Sequence, residues 1–156
     1  TPIAGRFASA LEDVPLTFSR KPTEAQVTEA LEKNKSNGWA LAMREQLRTK
    51  GDGILNYAYP VQAWTLGNLS WAALGGEVVV DYGLRLRRET PGALWVFGYS
   101  TDVMCYIPNE RVLKEGRYEG DTSMNGYGRP GPWTAGLEEK IVAKTRELVA
   151  RTRGGR

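Results

Sequence analysis

Chemically capable side chains cluster at two places in the middle of the chain. Glu77 follows a glycine pair, Gly75 and Gly76, at the end of an apolar run. A second polar group follows the next apolar run and consists of Ser100, Thr101, Asp102 and Tyr106. If the two runs are parallel neighbouring strands, their carboxyl ends meet at one edge of a sheet, where open α/β sheets bind ligands. We therefore expect Glu77 and the second polar group to converge on one site.

The hydrophobic pattern predicts the elements that position these groups. Residues 69–74 and 93–99 are almost continuously apolar and predict two strands, the second covered on both faces. Between them, Val79, Tyr82 and Leu86 recur at helical spacing, which predicts an amphipathic helix that opens at Glu77. Strand, helix and strand form a βαβ unit, whose crossover is right-handed and whose strands are parallel.

Glu77 has two explanations at this stage. The paired glycines carry no side chains where the backbone must turn sharply, so the carboxylate could stand at the sheet edge as a functional group. Alternatively, an acidic side chain in the first turn of a helix interacts favourably with the positive end of the helix dipole. The local pattern alone leaves both explanations open.

The remaining segments complete a mixed α/β fold. Residues 3–19 predict a strand, and residues 57–65 predict another that pairs antiparallel with residues 69–74 across a turn at Gly67 and Asn68. Pro60 suggests that this strand lies at an edge or carries a bulge. Trp64 and Trp71, on these strands, are expected mainly in the core.

Helices account for the rest of the predicted structure. Residues 23–50 predict a helical hairpin, which starts with a capping box formed by Thr23 and Gln26. Residues 134–152 predict a C-terminal helix capped by Thr134.

The loop at residues 124–133 is crowded with glycine, proline and aromatic residues, and it could be a lid over a substrate or an interface to another part of the protein. We interpret residues 1–156 as a single α/β domain, whose site core spans residues 69–118.

The composition of the chain argues against several classes of function. The net charge of +3 among 156 residues is too small and scattered to indicate a nucleic-acid binder. Arginines do collect at the end of the chain, at Arg151, Arg153 and Arg156, but a solvated tail explains them better than a phosphate-binding patch. Cys105 is the single cysteine, and it is a poor nucleophile candidate because the chain has no histidine to activate it. No apolar stretch is long enough to predict a transmembrane helix.

Three blocks occur in a specific order: GGEVVVDYGLRLRRE, FGYSTDVMCYIP and RVLKEGRYEG. Together they resemble the C-terminal part of the catalytic region of neutral/alkaline, non-lysosomal ceramidases and their bacterial relatives. The resemblance implies that Glu77 and Tyr106 are zinc ligands and that Tyr118 hydrogen-bonds the oxyanion of the scissile amide. It also implies substrate contacts in the turn of Ser100, Thr101 and Asp102, although the family often has Asn-Gly or Asn-Asp after the serine.

The resemblance also implies what this chain lacks. Catalytic zinc usually takes three protein ligands, often histidines, yet the sequence contains no histidine. In ceramidases, two histidine ligands and the serine nucleophile come from an earlier part of the chain. Because the sequence starts at Thr1 without a methionine or signal peptide, we interpret it as an excised C-terminal portion whose partner is the missing N-terminal half.

We therefore expect this chain to contribute part of the active site of a zinc-dependent amidase. The intact enzyme would hydrolyse an N-acyl amide such as ceramide, a lipid-like substrate of sphingolipid metabolism, and the family resemblance implies a secreted or periplasmic location. We expect this chain alone to bind zinc weakly or not at all and to be inactive. The alternative is a structural or binding module that keeps the family scaffold without the chemistry, because a fold does not determine a function.

Overall fold

The larger helices and strands follow the predicted order, and two short strands that were not predicted, Glu77–Val78 and Tyr106–Ile107, lie among them. The computed structural model describes residues 2–154. Its strands are β1 Phe7–Thr17, β2 Asn56–Leu66, β3 Leu69–Leu74, β4 Glu77–Val78, β5 Ala93–Phe97 and β6 Tyr106–Ile107. Its α-helices are α1 Glu24–Lys33, α2 Gly38–Lys50, α3 Val80–Glu89, α4 Glu110–Glu115, α5 Arg117–Gly120 and α6 Leu137–Thr152. Short 3₁₀ turns occupy Gly51–Leu55 and Thr122–Asn125.

The main sheet is mixed, as predicted. Its four strands lie in the order β1-β2-β3-β5. The β1-β2 and β2-β3 pairs are antiparallel, whereas β3 and β5 are parallel neighbours joined through α3, which confirms the βαβ unit. A separate two-stranded sheet joins β4 to β6 in parallel. β2 lies between β1 and β3, but Pro60 itself pairs only with β1, because it immediately precedes Val61, the first β2 residue that pairs with β3. The β3 side of Pro60 is therefore unpaired, in agreement with the predicted edge position.

The predicted helical hairpin is present, with the predicted cap. The side chain of Thr23 accepts a hydrogen bond from the Gln26 amide, and the side chain of Gln26 accepts one from the Thr23 amide. The side chain of Asn37 caps α2 by accepting a hydrogen bond from the Ala40 amide, and that of Asn109 caps α4 by accepting one from the Val112 amide. Within residues 2–154, no helix has the length and apolar character needed to cross a bilayer.

The C-terminal helix starts later than predicted. Thr134 does not cap it; α6 begins at Leu137, after Gly136 in a left-handed conformation. The Thr134 amide instead donates to the carbonyl of Thr17 at 2.8 Å, beside the bridge between Phe18 and Trp133. Thr134 is thus hydrogen-bonded to the end of β1, which a local capping pattern could not reveal.

Two hydrophobic cores stabilise the chain. The main core lies between one face of the sheet, hereafter the inner face, and helices α3 and α6. It includes large, fully buried side chains such as Tyr59, Tyr82, Met104, Ile141 and Trp133. The second core is small and lies under the hairpin; its buried members are Val27, Ala40, Met43 and Ile54.

No helix or strand among residues 2–154 covers the opposite, outer face of the sheet. The prediction that residues 93–99 are covered on both faces is wrong: β5 is an edge strand, and Trp95 and Phe97 are 55% and 44% exposed. Trp64 and Trp71 are also outside the core, because they are half-buried and lie in register with Trp95 across the sheet. Apolar continuity alone could not distinguish this arrangement from a doubly covered strand.

The arginines near the C-terminus have partners within the chain. Arg151 forms an ion pair with Glu12 on β1. The guanidinium of Arg153 donates to Ser70 Oγ at 2.8 Å and to the carbonyls of Pro91 and Ala93. These contacts tie the end of α6 to the sheet. Arg156 lies outside the described residues.

Candidate functional site

Glu77 does not open a helix, contrary to the prediction. It lies in β4, whose backbone pairs with β6: the Glu77 amide donates to the Cys105 carbonyl at 2.9 Å, and the Val79 amide donates to the Ile107 carbonyl at 3.2 Å. This pairing keeps the β-favouring Val78 and Val79 extended until α3 starts at Val80. Since Glu77 precedes the helix by three residues, the helix dipole does not account for its presence.

The glycine pair makes the turn between β3 and β4 possible. Gly76 has a φ of +70°, and a Cβ there would lie 2.7 Å from the Cys105 carbonyl oxygen and 2.8 Å from the Met104 sulfur. Gly75 is packed against the side chains of Met104 and Pro60, and its carbonyl accepts a 2.8 Å hydrogen bond from Tyr59. The chain therefore needs glycine at Gly76 to bring Glu77 beside β6.

The structure brings Glu77 and Tyr106 together. They are direct partners in the β4-β6 pair, and the Tyr106 hydroxyl interacts with the Glu77 carboxylate. Two further hydroxyls reach the same carboxylate. Tyr127 donates to Glu77 Oε2 at 3.1 Å, and Tyr99 contributes a third interaction. A single carboxylate is thus surrounded by three phenol groups.

These contacts determine the acid-base properties of the cluster. Burial opposes ionisation of Glu77, but hydrogen bonds from Tyr106, Tyr99 and Tyr127 outweigh it and lower the pKa of Glu77. The carboxylate in turn raises the pKa of Tyr99 to about 12 and raises that of Tyr106 well above its usual range. At neutral pH the cluster is therefore an ionised carboxylate with protonated phenols as donors.

Tyr118 stands next to this cluster. It lies in α5 with 61% of its surface exposed, and its ring meets the Tyr106 ring edge to face with centroids 5.6 Å apart. Tyr106 makes a similar contact with Tyr127 at 6.4 Å. The Tyr106 ring is thus fixed from two sides, and the Tyr118 side chain is accessible beside it.

Three residues with strained backbone lie in the segments that carry the tyrosine cluster and Tyr118. Within residues 2–154, positive φ at residues other than glycine occurs at Tyr99 (53°), Thr101 (66°) and Arg117 (57°). Tyr99 and Thr101 lie on either side of Ser100, and Arg117 immediately precedes Tyr118. Such conformations cost about 1–3 kcal/mol each and concentrate at functional sites. Their positions therefore point to the same region as the side-chain cluster.

The three side chains of the predicted substrate turn form hydrogen bonds with groups outside the Glu77 cluster. Ser100 Oγ donates to the Gly98 carbonyl, and Thr101 Oγ1 donates to the Ser100 carbonyl. Asp102 faces a different neighbour: its carboxylate accepts a hydrogen bond from Tyr57, and its carbonyl accepts one from the Gly76 amide. Asp102 thus stabilises the turn, and substrate contacts by these three side chains remain a prediction.

The glycine-rich loop at residues 124–133 carries Tyr127 into the cluster. Trp39 Nε1 donates to the Arg129 carbonyl at 3.0 Å, and Gln46 donates to the Gly128 carbonyl at 3.1 Å, so helix α2 holds the loop from one side. Arg129 Nε donates to the Met104 carbonyl at 2.9 Å and holds it from the other. The loop therefore connects the hairpin to the site.

The donors present supply part of a metal site. Glu77 and Tyr106 offer two neighbouring oxygen donors. Catalytic zinc usually takes three protein ligands, so these two residues alone do not complete a zinc site. Within residues 2–154, histidine, cysteine, aspartate and glutamate side chains nowhere form a group of three that could hold a metal ion. Cys105 does not help, because it is fully buried and burial raises the pKa of its thiol to about 12.

Sequence reasoning missed Tyr99 and Tyr127. Tyr99 could have been included, since it directly precedes the polar turn at Ser100 and ends the same apolar run. Tyr127 was signalled only by its place in the glycine- and proline-rich loop. Its approach to Glu77 depends on how the hairpin packs, which local spacing does not encode.

Comparisons with known proteins add one structural likeness. No protein-family model matches the chain, and no curated protein matches it. The fold is similar to the solved structure described as "Ceramidase complexed with C2", with a TM-score of 0.49 and 15% sequence identity. The match covers 94% of this chain and 31% of that chain, so this protein spans about a third of the ceramidase's length. At this identity and TM-score, the likeness does not by itself establish a shared activity.

Proposed function

We propose that this chain contributes part of the active site of a zinc-dependent amide hydrolase that cleaves an N-acyl amide such as ceramide. The observation that carries the proposal is the juxtaposition of the Glu77 carboxylate and the Tyr106 phenol across the β4-β6 pair. Both residues occupy the positions at which the ordered sequence blocks resemble ceramidases. The strained residues beside the cluster are a second, independent support.

Zinc would be held in part by Glu77 and Tyr106. Two oxygen donors leave the site incomplete, and the resemblance assigns the remaining ligands to two histidines in polypeptide outside this sequence. When bound, zinc polarises a carbonyl oxygen and lowers the pKa of a coordinated group. The three phenols around Glu77 keep the carboxylate ionised and oriented, which prepares it for a cation.

Tyr118 would stabilise the transition state. Its exposed side chain lies against Tyr106, so its hydroxyl can face a substrate bound beside the proposed ligands. A phenol at this place donates a hydrogen bond to the amide oxygen as that oxygen gains negative charge. Donors of this type typically contribute about 2.7–4 kcal/mol to catalysis.

An apolar substrate suits the surroundings of the cluster. Val103, in the turn that precedes Tyr106, is 45% exposed, and Tyr99 is 60% exposed. Exposed apolar side chains around a polar centre favour a ligand with a polar amide and an acyl chain. This composition supports an N-acyl lipid as the substrate class.

A zinc titration followed by two-dimensional NMR tests the proposal on the purified chain. We expect weak, fast-exchanging binding, with the largest shifts at Glu77 and Tyr106. Glu77→Gln and Tyr106→Phe should abolish these shifts. Glu119→Gln is the matched control, because Glu119 is an exposed carboxylate next to Tyr118.

An activity assay with an N-acyl sphingosine complements the titration. The isolated chain should not release fatty acid, because the nucleophile and the remaining ligands are assigned to other polypeptide. Hydrolysis by the purified 156-residue chain would contradict the shared-site assignment. Zinc shifts that persist in both Glu77→Gln and Tyr106→Phe would contradict the assignment of the ligands.

A further inference from the structure

The outer face of the main sheet carries an uncharged apolar patch, bordered by the exposed carboxylate of Asp13 in the next row of β1. Three successive rows of side chains cross all four strands on this face, according to the strand register. The rows are Phe7-Leu66-Leu69-Ala93, Ser9-Trp64-Trp71-Trp95 and Leu11-Gln62-Ala73-Phe97. None of these residues is charged, and the polar ones are Ser9 and Gln62. We call these rows the outer-face patch.

The patch is as large as the largest apolar patch of a typical monomeric protein, and such patches are often functional. Phe7, Leu11, Trp95 and Phe97 are 63%, 55%, 55% and 44% exposed, and Trp64 and Trp71 are half-buried. Because an aromatic side chain has an area of roughly 150–250 Å², the patch offers on the order of 500 Å² of apolar surface. Contiguous patches of this size mark interaction sites.

The surface of the patch is not flat. Phe7, Trp64 and Trp71 surround a shallow depression of about 340 Å³ on the β1 side of the face. On the β5 side, Trp95 and Phe97 project as an aromatic pair with ring centroids 6.5 Å apart, and Trp95 is braced edge to face by Trp71 at 6.3 Å. The same face therefore carries both a projection and a hollow.

We propose that a second copy of this chain occupies the outer-face patch, in a two-fold symmetric, face-to-face dimer. A two-fold axis parallel to the strands, midway between the copies, places β5 of one copy over β1 of the other. Each Trp95 then lies over the partner's Ser9, at the edge of the hollow, and each Phe97 lies over the partner's Leu11, so one pair of surfaces forms two equivalent contacts. Sheets pack face to face about 10 Å apart with interdigitated side chains, which suits this geometry.

The absence of charge favours this occupant. Two identical faces with a net charge would repel each other, whereas two uncharged apolar faces do not. Two copies would bury about 1,000 Å² in total, which is at the lower limit for a specific interface. The dimer should accordingly dissociate on dilution, with a Kd in about the micromolar range. This inference is independent of the proposed function, because the patch contains none of the proposed site residues.

Sedimentation velocity over a wide concentration range tests the proposal. The unmodified chain should change from monomer to dimer as its concentration rises. Trp95→Lys should weaken association by more than about tenfold, because tryptophans at the centre of an interface dominate its affinity. Leu84→Lys is the matched control, because Leu84 is also 55% exposed but lies on α3, away from the patch. It should dimerise like the unmodified chain.

Two additions keep the test decisive if Trp95→Lys fails to fold. Phe7→Lys alters the rim of the hollow at the start of β1 and should have the same effect. In the unmodified chain, dilution should shift tryptophan emission to longer wavelength as the patch becomes hydrated. A chain that stays monomeric, even one that binds an apolar dye, would overturn the proposal. So would dimers that survive Trp95→Lys and Phe7→Lys, because they would associate through another surface such as a strand edge.

Discussion

The Tyr127 hydroxyl donates a 3.1 Å hydrogen bond to Oε2 of Glu77, which lies 50 residues earlier in the chain. This bond connects the glycine-rich loop to the carboxylate that we propose as a zinc ligand. Because Tyr106 and Tyr99 approach the same carboxylate, the ionisation of Glu77 depends on three separate segments. The pKa of Glu77 therefore reports on how these three segments pack around its carboxylate.

Replacing Tyr127 with Phe should raise the pKa of Glu77. The substitution removes a donor that favours the ionised carboxylate but keeps the ring contact with Tyr106. Carbon-detected NMR of the Glu77 carboxyl group across a pH series measures the change. Tyr118→Phe is the control, because Tyr118 packs on the Tyr106 ring instead of donating to Glu77. Equal effects of the two variants would show that the hydroxyl of Tyr127 is not responsible.

The same variant should show a pH-dependent loss of stability. A lowered pKa means that Glu77 stabilises the folded state above its unfolded pKa, near 4.5, and that this contribution is lost as pH falls through the folded value. At neutral pH, Tyr127→Phe should reduce the free energy of unfolding by about 0.5–1.5 kcal/mol. Denaturant titrations should show this difference shrinking below about pH 4.5.

Gly76→Ala should destabilise the protein by at least about 2 kcal/mol. The new Cβ would meet the Cys105 carbonyl at 2.7 Å, in a left-handed conformation that alanine disfavours. Gly83→Ala is the control, because it lies inside α3 with no atom within 4 Å of the added carbon. It should increase the free energy of unfolding by about 0.5–1 kcal/mol. Urea-induced unfolding measures both, and similar values would contradict the steric argument.

Cys105 should resist alkylation in the folded protein. Its side chain is fully buried, and burial raises the pKa of the thiol to about 12, so little thiolate forms at neutral pH. Mass spectrometry after iodoacetamide treatment should show slow modification in native buffer and complete modification in denaturant. Rapid, stoichiometric labelling of the native chain would mean that the region around β6 opens readily.

Arg85→Gln should weaken the attachment of α3 to α6. The guanidinium of Arg85 contacts Glu138 at 2.8 Å and Glu139 at 2.6 Å, and it is only 19% exposed. Its loss leaves the shielded Glu138 without its cationic partner, so we expect a cost of about 1–3 kcal/mol in unfolding free energy. Arg111→Gln breaks an exposed pair with Glu115 and should cost no more than about 0.5 kcal/mol. Thermal unfolding of both variants compares them.

The parts of the fold that local pattern determines could be predicted from the sequence. The capping box at Thr23, the turn at Gly67 and the strand Leu69–Leu74 all depend on neighbouring residues, and the structure has each of them. The parallel pairing of β3 with β5 followed from the strand-helix-strand order, which forms a βαβ unit. That pairing also accounts for the convergence of Glu77 with the segment that follows β5.

The remaining differences come from long-range packing. Val78 and Val79 are compatible with either helix or strand, and pairing with β6 selects the strand. Trp95 and Phe97 belong to an apolar run that resembles a doubly covered strand, but no element among residues 2–154 lies over these two side chains. The contribution of Tyr127 requires the hairpin to hold its loop, a relation between segments that lie about 80–90 residues apart.

The small core beneath α1 and α2 makes the hairpin a separate cooperative unit. With Val27, Ala40, Met43 and Ile54 as its buried members, it should open at a lower free energy than the sheet. Native-state hydrogen exchange should therefore show amides of α1 and α2 exchanging before those of β2 and β3. Each such opening frees Trp39 and Gln46 from the loop they hold, so a fluctuation far from Glu77 alters how firmly its carboxylate is oriented.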